Sequence, residues 1–132
     1  FIGFDDPEDP KTLKTLIEVT GATCLDYLDE TECCGAPIVG VSDKVALQLA
    51  RDKLTHMKAV EAEAMITICP FCHIMYDTNE LRIEKMFNET FGIPILHYPQ
   101  LLGLAMGMKC EDLGFNELRV DVSKLLKQVG EG

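Results

Sequence analysis

Glu32-Cys33-Cys34-Gly35-Ala36-Pro37 and Ile68-Cys69-Pro70-Phe71-Cys72-His73 together hold four of the chain's six cysteines. Thirty-four residues, Gly35 to Ile68, lie between the two pairs. They read as one helix followed by one strand. Ser42 can cap the helix, and Asp43 suits its first turn. Leu47, Ala50, Leu54 and Met57 repeat at helical spacing, and the helix is expected to run to about Ala62. Ala64-Met65-Ile66-Thr67-Ile68 is short and apolar, as a buried parallel strand would be. It leads straight into Cys69, so this unit brings both cysteine pairs to one end of the fold.

Working outward, Asp9-Pro10 reads as an N-cap with proline at the first helical position. Leu13, Leu16 and Ile17 share a face of that helix, and Gly21 stops it. Ala22 to Tyr27 is expected to be a strand. Beyond the second pair, a helix starts near Cys72 or Ile74 and reaches about Thr90. Ile83, Met86, Phe87 and Phe91 mark its apolar side, and Gly92 and Pro94 end it. Ile93 to Tyr98 reads as a strand, and Pro99 opens a helix through Leu101, Leu102, Leu104 and Ala105. Gly103 and Gly107 point to close packing on it. Gly114 interrupts the chain, and Val122, Leu125, Leu126 and Val129 form a last helix capped by Gly130.

This alternation predicts an α/β fold, with a small parallel sheet of about three to four strands flanked by helices. It is Rossmann-like, a single domain over residues 1–132, with the cysteine loops at the C-terminal ends of the strands. Open α/β sheets bind ligands at that edge. Cys33 and Cys34 would follow the first strand and Cys69 the second, while His97 and Tyr98 end the third.

Composition narrows the function. There are 22 acidic and 12 basic residues, a formal charge of −10. Nucleic acid is therefore not expected as a partner, because phosphate binding needs clustered Lys and Arg. Asp5-Asp6-Pro7-Glu8-Asp9 reads as a solvated entry segment. No apolar run reaches the roughly 20 residues of a membrane span. Phe1-Ile2-Gly3-Phe4-Asp5 lacks the features of a signal peptide and an initiator methionine, so a fragment of a longer cytoplasmic protein is expected. In such an α/β chain, paired loop cysteines are redox groups or metal ligands rather than a disulfide framework.

Cys69-Pro70-Phe71-Cys72 alone fits a thioredoxin-like dithiol or a metal site. Cys33-Cys34 shifts the balance. Adjacent side chains on extended backbone point to opposite sides, so two neighbouring thiolates suit a cluster of several metals better than one zinc. Gly35 can fold the loop tightly over a cofactor. Zinc on the same four thiolates stays open. Cys24 and Cys110 read as small apolar residues, and His56 is left unassigned. His73 is a candidate hydrogen-bond or proton donor beside Cys72, and His97 a candidate for the same rim.

Cys-Cys-Gly followed after some 35 residues by Cys-x-x-Cys resembles the second half of the cysteine-rich CCG module. GFDDPEDPKTL, ECCGAP, ICPFCHIMYDTNE and GIPILHYPQLLGLAMG extend the likeness toward the B subunit of heterodisulfide reductase from methanogenic archaea. The resemblance implies a noncubane 4Fe-4S cluster with Cys33, Cys34, Cys69 and Cys72 as ligands. It implies reduction of the coenzyme M–coenzyme B heterodisulfide, with electrons from a ferredoxin-like partner and a flavoprotein partner in the same reductase complex. The B subunit carries two such modules, so this chain would be the second. The first module, and a further ligand cysteine upstream of Phe1, would be missing, and the isolated fragment could take zinc. Thiol:fumarate reductase-like CCG proteins share the cysteine pattern. Coenzymes M and B are anionic; Lys44 and the helix starts after Cys34 and Cys72 are the candidates to meet them.

Overall fold

The computed structural model describes residues 3–130; the opening Phe1-Ile2 of the expected fragment start lies outside them. Among the described residues, six α-helices and a two-stranded parallel sheet form the frame. They are α1 (Thr12–Glu18), α2 (Asp43–Ala59), β1 (Met65–Thr67), α3 (Pro70–His73), α4 (Asn79–Phe87), β2 (Ile95–His97), α5 (Tyr98–Ala105) and α6 (Ser123–Val129). A π-helical turn, Ile74–Thr78, joins α3 to α4 in one continuous helical run. Short 3-10 turns cover Ala36–Ile38, Cys110–Leu113 and Phe115–Glu117.

The α/β alternation holds, but the sheet is smaller than the expected three to four strands. Met65, Ile66 and Thr67 pair with Ile95, Leu96 and His97. The Thr67 hydroxyl donates to Leu96 O at 3.3 Å, locking the ends of the strands together. Each face of this sheet is covered. Met65 and Ile95 join Leu47, Leu54, Met75, Tyr76 and Ile83 in one core. Leu96 joins Leu104, Phe115 and Val122 in a second, with Ile66 packed against it. Successive strand residues thus serve opposite cores, which is why the first two residues of each strand are apolar.

Residues 22–27 are not a strand. They have no sheet partner, and Thr23, Leu25 and Asp26 are exposed. Their β-compatible composition has no neighbouring edge to pair with, and propensity without a partner does not make a strand. The first helix also starts later than Asp9-Pro10 predicts. Asp5 reaches forward, and its carboxylate accepts the N–H groups of Lys11 and of Thr12 (2.9 Å). One residue of the acidic entry segment therefore caps α1. These amide hydrogen bonds hold the Asp5 carboxyl well below the usual range.

Gly103 and Gly107 divide in role. A Cβ at Gly103 would lie 2.4 Å from Leu113 Cδ2, so α5 does approach its neighbour closely there. Gly107 meets nothing within 4 Å, and its φ of +76° serves the turn after α5. At the other end of α5, Gln100 Oε1 accepts the His97 N–H at 2.8 Å while its amide donates to Leu113 O. The Tyr98 hydroxyl donates to Leu16 O at 3.1 Å, tying α5 to α1.

Candidate functional site

Cys69 is the N-cap of α3 and has extended backbone; Pro70 follows at the first helical position. The backbone N–H groups of Cys72 and Phe71 face the Cys69 sulfur and hold its thiol below the ordinary value. Cys72, one turn in, lies between Cys34 and Cys69. Burial first, then the neighbouring Cys34 and Cys69 thiols, push its thiol up. Cys34 is buried in the first core, whereas Cys33 is exposed. All four, with Cys24, border one cleft of about 1650 Å³. As they stand, no three His, Cys, Asp or Glu side chains among the described residues form a chelate for a single metal ion.

Gly35 turns the first pair into place. Its φ is +79°, and a Cβ there would lie 3.3 Å from Leu49 Cδ1 and 3.4 Å from the Ala46 backbone. The loop therefore rests directly on α2. Lys53, also on α2, is 5% exposed. Its ammonium donates to Glu30 O (3.2 Å) and Glu32 O (2.7 Å), pinning the chain that enters Cys33. Asp29, in the same entry segment, lies 3.0 Å from His56 of α2. The histidine left unassigned in the sequence thus lies against this segment. Lys53 sits 5.9 Å from the Tyr27 ring centre. Burial lowers its pKa, and the nearby Asp29, Cys72 and Cys34 oppose that shift.

Residues 3–77 match the cysteine-rich domain family CCG, a span that contains all four cysteines. The chain belongs to the CCG cysteine-rich domain family. It is 34% identical over 129 residues to the B subunit of ferredoxin:CoB-CoM heterodisulfide reductase of Methanosarcina mazei, covering 96% of this chain and 43% of that protein. It is 34% identical over 128 residues to the B subunit of ferredoxin/F(420)H(2)-dependent CoB-CoM heterodisulfide reductase of Methanosarcina acetivorans, with the same two coverages. A more distant relative is the 8-methylmenaquinol:fumarate reductase membrane anchor subunit of Wolinella succinogenes, 27% identical over 124 residues. The chain spans less than half the length of these curated relatives. Among the described residues, no helix is long and apolar enough to cross a membrane.

In this CCG domain, Cys34, Cys69 and Cys72 lie near one another, and the exposed Cys33 borders the same cleft. His73 stacks on His97, ring centres 4.3 Å apart, at the C-terminal end of the sheet. Burial, then the neighbouring His97, lowers the His73 pKa. Its Nδ1 is buried without a hydrogen-bond partner. Lys44 is exposed at the start of α2. Two site residues escape the sequence reading. Lys53 falls on the buried face with Ala50, Leu54 and Met57, and a lysine at that spacing was the available signal. Tyr76 follows Cys72 by four residues, yet in a helix it reads as ordinary core.

Proposed function

We propose that this chain is the iron–sulfur module of a protein like the heterodisulfide reductase B subunit. In this reading Cys33, Cys34, Cys69 and Cys72 hold a noncubane 4Fe-4S cluster. The observation that carries it is the meeting of Cys34, Cys69 and Cys72 at one cleft that the exposed Cys33 also borders. Two adjacent donors, one buried and one exposed, suit several irons better than one tetrahedral ion. The likeness to the two reductase relatives over 96% of the chain supports the same reading.

The cluster, when bound, supplies one-electron chemistry to a substrate sulfur. Two electrons and two protons turn the coenzyme M–coenzyme B disulfide into two thiols. This chain's residues provide the setting. The N–H groups of Cys72 and Phe71 favour thiolate at Cys69. The buried Lys53 ammonium offsets thiolate charge near Cys72 and Cys34. Gly35 lets the loop lie close to α2, and His73 offers an unpartnered ring nitrogen beside Cys72. Electrons would arrive from the ferredoxin-like and flavoprotein partners in the cytoplasm. A first CCG module would cover the rim, where Ile68, Phe71 and Ile74 are exposed apolar side chains.

The test is iron and acid-labile sulfide in anaerobically purified protein, with EPR of the oxidised sample. Iron with matching sulfide, and a signal altered by coenzyme M thiol, is the expected result. Stoichiometric zinc, with no iron taken up on reconstitution, would overturn the proposal.

A further inference from the structure

We propose that the Tyr76 hydroxyl donates a hydrogen bond to a sulfur of the centre held by Cys34 and Cys72, and so raises that centre's reduction potential. The inference rests on the iron–sulfur reading above and adds a residue outside the cysteine motifs.

Tyr76 is 2% exposed, and its hydroxyl has no hydrogen-bond partner. Buried hydroxyls are normally satisfied, because leaving one unpaired costs free energy. Phenylalanine would fill the same core space without that cost, so the oxygen calls for an acceptor. The surroundings narrow the choice. Tyr76 packs in the core that contains Cys34, and Cys72 lies against that core. It borders the cleft lined by all four cysteines. Lys53 is engaged with Glu30 O and Glu32 O. Asp29 has one oxygen 3.0 Å from His56 and one without a partner, and neither that oxygen nor any other group takes the Tyr76 proton.

The backbone points the same way independently. Cys72 and Tyr76 are four residues apart in one helical run, a spacing that puts side chains on the same face. The π-turn Ile74–Thr78 begins between them and contains Tyr76. Such turns are rare and recur at functional sites. A phenol keeps its proton at ordinary pH and offers one O–H donor. A donor to cluster sulfur stabilises the more negative, reduced state, and hydrogen bonds to the sulfurs are a recognised lever on potential.

The experiment is Tyr76→Phe in the anaerobically purified full-length protein, read by iron and sulfide content and by an EPR-monitored redox titration. The expected variant keeps its iron and has a lower potential. At a fixed potential its ratio of reduced to oxidised centre falls about tenfold, equivalent to about 59 mV for one electron. Metal-free Tyr76→Phe protein should be at least as stable as wild type, since the hydroxyl lacks a partner there. Difluorotyrosine at position 76, a stronger donor, should move the potential upward. Full iron with an unchanged potential in both variants overturns the Tyr76 assignment and leaves the iron–sulfur reading standing. Wild-type protein that takes up no iron overturns both.

Discussion

Gly35 is the residue on which the first cysteine pair turns. Its left-handed backbone and its contact with Leu49 and Ala46 both exclude a Cβ. Gly35→Ala should cost about 1–2 kcal/mol, measured by denaturant unfolding of the metal-free protein. Glu80 gives a second residue-scale prediction. It is fully buried and accepts the Ile93 N–H at 2.9 Å, while its other oxygen has no partner. Burial raises its pKa to about 7. The folded state therefore holds a proton that the unfolded chain releases near pH 4.5. Stability from this group is greatest in acid and is lost as pH rises from about 4.5 through 7, a change on the order of 3 kcal/mol. Glu80→Gln should flatten that slope in unfolding curves taken between about pH 4.5 and 8. The cysteines were legible in the sequence because their chemistry is tied to residue type and spacing. Glu80 and Tyr76 were not, because burial depends on what the rest of the chain packs against them.

At the scale of elements, α2 does more than link the cysteine pairs. It carries the contact surface for Gly35, the Lys53 ammonium and the histidine that faces Asp29. Lys53→Met keeps most of the apolar stem and removes two hydrogen bonds to the entry segment. The metal-free protein should lose about 1–2 kcal/mol, seen as a lower denaturation midpoint. The helical run after Cys69 is similarly specialised. Its π-turn buries Met75, Tyr76 and Asp77 together, and Asp77 accepts the Arg119 N–H at 2.9 Å. Helical spacing located this run, because its apolar stripe follows a local rule. It did not find the π-turn, and β-compatible composition suggested a strand at 22–27 that does not form. A strand needs a partner edge, and partners are not local.

For the whole molecule, the small sheet is a divider between two cores, and its C-terminal end leads into Cys69 and the His73–His97 stack, whereas the loop of Cys33 and Cys34 follows no strand. The alternation of helices and apolar runs made the α/β class readable. The number of strands was not readable, since composition cannot count edges. The rim beside the cysteines leaves Ile68, Phe71 and Ile74 exposed, and the chain covers 43% of the two reductase relatives. In the proposed assembly, the rest of such a protein sits on that rim. Ile74→Asp should leave the stability of this domain within about 0.5 kcal/mol, yet slow heterodisulfide reduction in the assembled complex. Unchanged turnover would argue against a covered rim.

The central claim is tested most directly by counting iron per polypeptide in anaerobically purified single variants. Cys33→Ser, Cys34→Ser, Cys69→Ser and Cys72→Ser should each lose most of their iron, while Cys24→Ser should keep it. Iron undiminished when Cys33 or Cys34 is replaced would contradict a cluster held by both cysteine pairs.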